Sequence, residues 1–235
     1  MRLLLTLLLF WLPISEAQTI IVVKKPAAGA TITYKGIEGT GSASGPSSVA
    51  ASAMNTAVGD LVICGVKWES GSSAIIAADT AGNTYSARTA ANNAGSSGEP
   101  HVRIFYTFAT AANASNVVTV TFSGSTTWSK IICHEFTGAT SYDAESTAGE
   151  AASGTAVATG AITTTAGAVV WSIVGGYTAQ TFSSPLIGGG ASTQGSTVSD
   201  SVAHWRIFTG AQSSITANIT QSASDRWTTT AAAFK

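Results

Sequence analysis

Charge is what this chain has least of. Asp, Glu, Lys and Arg make up 10% of its 235 residues, against about 25% in an ordinary soluble domain. The few charges also balance, 12 acidic against 11 basic, for a formal net charge of −1. That excludes the basic patch through which nucleic acid is usually held, and it disfavours an anionic membrane surface for the same reason. Ser, Thr, Gly and Ala fill the surface instead. Their hydroxyls keep it wet, while the low charge permits self-association. Long apolar runs are equally scarce. The stretch 3–12 covers about ten residues where a bilayer-spanning helix needs about 20, so no membrane insertion is expected. No segment carries a convincing helical stripe.

Histidine is rare too, with only His101, His134 and His204. No His-Glu-x-x-His sets two zinc ligands one helical turn apart. Adjacent strand residues such as His134 and Glu135 face opposite ways and do not readily share a ligand. No serine sits in a Gly-x-Ser-x-Gly elbow, and "LIGGGAS" from Leu186 lacks the Lys-Ser/Thr of a phosphate-binding loop. Glu69, Asp79, Glu99 and Glu135 could supply a carboxylate pair for glycoside cleavage, but only their separation would carry that reading.

What is present begins with an export address. Arg2, the apolar stretch 3–12 and Ser15-Glu16-Ala17 form the pattern of a signal peptide over residues 1–17, with Gln18 as the mature start. The expected destination is secreted and extracellular, or periplasmic. Cys64 and Cys133 lie in the apolar runs "LVICGV" and "IICHEF". An oxidising compartment lets them form a disulfide, and such strands equally suit a free cysteine as a small hydrophobe.

Beyond the leader, period-two alternation and β-branched residues mark many short strands, among them 60–69, 102–109, 129–137, 168–175, 204–208 and 227–234. Clusters of Gly, Ser, Asn and Asp separate them. The clearest is "DTAGNTY" from Asp79, where Gly82-Asn83 can reverse the chain. Asp79 and Asn83 also carry the hard oxygens that suit Ca²⁺, against the simpler reading of a hairpin turn stitched by local hydrogen bonds. No other cofactor is implied. An outer-membrane barrel is disfavoured, because its aromatic girdles and longer strands are lacking.

The strands look written twice. "SVAASAMNTAVGDLVICGV" (48–66) aligns without a gap to "AVATGAITTTAGAVVWSIV" (156–174), and His-x-Arg-Ile-Phe occurs at His101 and again at His204. A duplicated strand needs the same packing twice, whereas a catalytic pair of histidines would need both copies to converge on one site. The first reading is preferred. Asp60 and Cys64 have Ala168 and Ser172 as their counterparts.

Tryptophan supplies the remaining candidates. Trp128 and Trp227 open equivalent strands and are expected to pack under loops. Trp68, between Lys67 and Glu69 at a strand end, is the candidate for an exposed face on which a sugar ring could stack between polar partners.

The run "VGDLVICGVKW … DTAGNTY … VRIFYTF … VVTVTFSGSTTWSKIICHEFTGA" resembles uncharacterised β-sandwich domains of bacterial secreted proteins and phage virion proteins. The resemblance implies a jelly-roll or Ig-like sandwich and carries no activity with it; the signal peptide disfavours the virion branch. The expectation is therefore an all-β, jelly-roll-like sandwich of two related halves. Residues 1–17 are its signal peptide, 18–47 an N-terminal strand and Ser/Gly-rich loop, 48–148 the first β half and 149–235 the second, in one compact body. Three functions fit this outline. They are a non-catalytic adhesion, matrix or surface-structural protein, a carbohydrate-binding module that meets polysaccharide or other cell-surface material, and a secreted hydrolase.

Overall fold

The computed structural model describes residues 31–69, 73–92 and 99–235. The expected signal peptide and residues 18–30 lie outside the described residues. Among the described residues every regular element is a strand, as the alternating pattern requires.

The first half forms two sheets. One runs Thr33–Ser44, Trp128–Thr137, Leu61–Glu69, Pro100–Phe108, Ser86–Ala87, and the other runs Ser48–Ala50, Val118–Phe122, Ala74–Asp79. In the second half the 18-residue strand Ala217–Phe234 does the work of two. Its early residues pair with Phe182–Ile187 and its later ones with Val169–Gly176, while Tyr142–Ala158 follows it along the other edge. The sheet curls as a result and is nearly closed, like a barrel.

Strand order repeats between the halves. Trp128–Thr137, Leu61–Glu69, Pro100–Phe108 recurs as Ala217–Phe234, Val169–Gly176, Ser201–Ile207. The small pair Met54–Thr56 with Asn113–Asn116 recurs as Ile162–Thr164 with Gln212–Ile215. Register is only partly kept. His204 pairs with Ser172, whose counterpart Cys64 pairs with Phe105, while His101 pairs with Trp68. The two histidines thus occupy the same strand of each copy at different heights, and they do not converge.

The strand Leu61–Glu69 is buried throughout because both of its faces are covered. Leu61 and Ile63 turn toward the second half and join Val169, Trp171, Ile173 and Phe234 in one apolar cluster. Val62, Cys64, Val66 and Trp68 turn the other way, onto Val49, Val118, Val120 and Phe122 of the small sheet. Alternation gives each residue its face, and layers on both sides remove the polar positions that an ordinary surface strand would show. The halves approach closely at two glycines. A Cβ on Gly65 would come within 2.4 Å of Ile173, and one on Gly175 within 2.5 Å of Lys67.

Two boundaries differ from expectation. The Ser/Gly-rich stretch around Gly41 is strand, not loop. Small residues are needed there because a Cβ on Gly41 would lie 1.8 Å from the Ala50 carbonyl oxygen. A second half starting at residue 149 would begin inside the strand Tyr142–Ala158, whose pairing with Ala217–Phe234 is continuous from Glu145 to Glu150.

Cys64 and Cys133 are direct cross-strand partners and form a disulfide, with Cα atoms 4.0 Å apart. The bond closes a loop across 69 positions of the chain. Replacing both cysteines by alanine is expected to lower the unfolding free energy by about 2–4 kcal/mol, read as a shift of the urea midpoint. Reduction of the native protein should reproduce the shift and leave the double variant unaffected.

Candidate functional site

Where Leu61–Glu69 leaves the core, alternation aims Lys67 and Glu69 toward the second half and Trp68 away from it. Trp68 is therefore not the exposed platform expected from sequence. It is 2% exposed, stacked at 5.3 Å on its cross-strand partner His101 and packed on Phe122. The small sheet that covers this face is what hides it.

Lys67 is fully buried. Its ammonium donates to Glu69 Oε1 and, at 2.6 Å, to Asp200 Oδ2 of the second half. Asp200 Oδ1 accepts from Ser201 Oγ, and the Asp200 carbonyl accepts the Gly176 N–H at 2.7 Å. Asp200 sits in the tight turn between Thr193–Val198 and Ser201–Ile207. Ser199, the other turn residue, has φ +58°, a left-handed conformation that is uncommon outside glycine.

Above this triad opens a cleft of about 370 Å³ lined by Glu69 and Lys130 of the first half and by Thr178, Ala179, Ser199 and Asp200 of the second, with Trp128 and Tyr177 at its mouth. Those two aromatics come from opposite halves and are among the most exposed large hydrophobic side chains described, at 46% and 38%. Trp128 departs from the expected packing under a loop, whereas its counterpart Trp227 is buried. Tyr177 is backed by the Arg226 guanidinium at 4.1 Å, which is in turn paired with buried Glu99. Asp225 fixes the wall by accepting from Thr178 N–H (2.8 Å) and Thr178 Oγ (2.6 Å). Burial alone would raise the Asp225 carboxyl, but these donors and the Arg226 N–H outweigh it and hold its pKa below the ordinary value.

The structure places Glu69 in this cleft, with Lys67 buried and bonded to it, and leaves Trp68 out. Sequence reading missed Trp128, Lys130, Tyr177 and Asp200. A faint signal for Lys130 existed, a lone charge inside the apolar run after Trp128. For Asp200 and Tyr177 there was none, because only the packing of the halves carries them to Glu69.

The other sequence candidates serve the fold. Asp79 and Asn83 do meet: Asn83 Nδ2 donates to Asp79 Oδ2 at 2.9 Å, as do Asn116 Nδ2 and the Tyr85 hydroxyl. Burial would raise the Asp79 carboxyl, yet these donors keep its pKa low. The Asn83 side-chain oxygen accepts the Thr110 and Ala111 N–H groups. The oxygens suited to Ca²⁺ thus face N–H and O–H donors, and the described residues contain no cluster of three metal-ligating side chains. Asp60 and Glu135 share the Lys35 ammonium, and Thr56 also donates to Glu135. His134 accepts the Trp171 indole N–H at 3.0 Å through Nδ1, among the rings of Tyr34 and Trp205. His204 meets Ser192 Oγ at 3.0 Å, and burial pushes its pKa down to about 4.

Comparison with protein-family models, curated proteins and solved structures finds no match to this chain.

Two outcomes test the framework. Lys67→Met leaves two buried carboxylates without their shared cation and is expected to cost about 3–5 kcal/mol of stability in urea unfolding. For His204, the unfolded state binds the proton at pH values where the folded state does not. Its contribution is therefore intact above about pH 6.5 and declines as pH falls toward 4, by up to about 3 kcal/mol. His204→Asn should flatten that part of the stability–pH curve.

Proposed function

We propose that this chain is an exported, non-catalytic binding protein, a jelly-roll-like β-sandwich of two related halves in one body, which attaches to polysaccharide through the cleft between them. Its setting is extracellular or periplasmic, and its role is adhesion or matrix attachment. The observation that carries this reading is the pair of exposed aromatics, Trp128 and Tyr177, which line one cleft of about 370 Å³ together with Glu69, Lys130, Thr178 and Asp200. Flat apolar rings flanked by hydrogen-bonding groups suit a pyranose, whose C–H face stacks while its hydroxyls pair. The volume falls in the ordinary range for small-molecule sites, about 300–1,000 Å³.

Supporting features are the signal-peptide pattern and the Cys64–Cys133 disulfide. Among the described residues no helix is long and apolar enough to cross a membrane. The non-catalytic part rests on the carboxylates. Glu69 and Asp200 grip Lys67, and Asp60 and Glu135 grip Lys35, so each pair is spent on the chain's own cation. The sparse charge adds a tendency to self-association, which suits a matrix component.

Co-sedimentation with a panel of polysaccharides, using the exported protein, tests the proposal. Trp128→Ala and Tyr177→Ala should each weaken binding about tenfold or more, while Leu186→Ala, an exposed apolar side chain elsewhere, should not. Binding that survives both aromatic substitutions would remove the cleft from the argument.

A further inference from the structure

Lys130 stands apart from the other cations. Among the described residues Lys35 holds Asp60 and Glu135, Lys67 holds Glu69 and Asp200, Lys235 holds Asp143, Arg88 pairs with Glu145 and Arg226 with Glu99. Arg103 and Arg206 donate to main-chain carbonyls. Lys130 is only 8% exposed, yet among the described residues its ammonium meets neither a carboxylate nor a carbonyl. It lies 5.5 Å from the centre of the Trp128 ring and lines the cleft.

Its placement makes this costly. Lys130 is the direct cross-strand partner of Lys67, so the two side chains leave the sheet on one face, side by side. Like charges in that relation destabilise a sheet. Glu69 Oε1 and Asp200 Oδ2 are taken by Lys67, and among the described residues no carboxylate lies within ion-pair distance of the Lys130 ammonium, which opens to the cleft. Methionine would fill the same space without the like-charge contact. A lysine at this position is accounted for if its counter-charge arrives with the ligand.

We infer that Lys130 is an anion subsite of the cleft, and that the polysaccharide it takes is acidic, with a carboxylate or sulfate ester on Lys130 and the ring that bears it on Trp128. The inference rests on the polysaccharide reading above. Trp128 and Lys130 lie two residues apart on one strand and therefore on one face, so the stacked ring and its acidic substituent would meet adjacent side chains. On the far side, Glu69 Oε1 is held by Lys67. Among the described residues nothing bonds Glu69 Oε2, which is available to a sugar hydroxyl. Ser199, in its left-handed turn, lines the same cleft, and backbone conformations of this kind concentrate at ligand sites.

The test is affinity electrophoresis of the exported protein, its Lys130→Gln and Lys130→Arg variants, and Trp128→Ala, in gels containing polygalacturonate, dextran sulfate or neutral dextran and xylan. The expected result is retardation by at least one acidic polymer, weakened about tenfold by Lys130→Gln. Lys130→Arg should restore it and rising salt should weaken it. Binding to polygalacturonate alone would identify the counter-charge as carboxylate; binding to dextran sulfate alone would identify it as sulfate. Removing Lys130 takes away a like-charge neighbour of Lys67, so Lys130→Gln should keep the native melting temperature, and loss of binding will not reflect unfolding. Retardation by neutral polymers alone, or acidic binding indifferent to Lys130→Gln but lost in Trp128→Ala, would overturn the anion subsite and leave the polysaccharide reading standing. No retardation by any polymer would overturn both.

Discussion

Everything distinctive in this molecule depends on the close face-to-face packing of Leu61–Glu69 and its neighbours against Val169–Gly176. That contact gives Leu61–Glu69 a second buried face, gathers residues of both halves into one apolar cluster, and demands glycine at 65 and 175. It also decides which polar groups end up inside. Lys67 enters the junction only because Gly175 leaves room for its stem, and once there it must be neutralised. Glu69 answers from its own strand and Asp200 from the other half, so the ion triad fastens the edge of the same interface.

The cleft is a consequence of this edge. Its lining comes from the start of Trp128–Thr137 and the end of Leu61–Glu69 on one side, and from the hairpin turn at Ser199 and Asp200 with Tyr177, Thr178 and Ala179 on the other. Because the two walls belong to different halves, the aromatic pair exists only in the assembled fold. Each half alone would present one ring and an incomplete floor.

A chain so poor in charge uses the charges it has inside. Lys35 with Asp60 and Glu135 ties the opening strand of the first half to its core, and Arg226 with Glu99 ties the second half to the first. Such pairs are satisfied within the protein and fix geometry more than they add net stability. Against that pattern Lys130 at the cleft is informative, since among the described residues every other lysine and arginine holds a carboxylate or a main-chain carbonyl.

Local pattern determined much of this protein. Period-two alternation specified strands and their faces, a turn formed after Asp79 with Gly82 in the left-handed region and the reversal at Thr80 and Ala81 rather than at Gly82-Asn83, and the duplicated segments announced a repeated strand order. These are legible because pleat, turn chemistry and burial pattern act over a few neighbouring residues. Alternation even placed Lys67 and Trp68 on opposite faces. It does not say which face is covered, so the local pattern points Trp68 to solvent and Trp128 to the interior, the reverse of what the fold does. Coverage is decided by sheets whose strands are far apart in sequence. The meeting of Glu69 with Asp200, and of Trp128 with Tyr177, was likewise settled only when the two halves packed, because no local rule relates residues that share nothing but an interface.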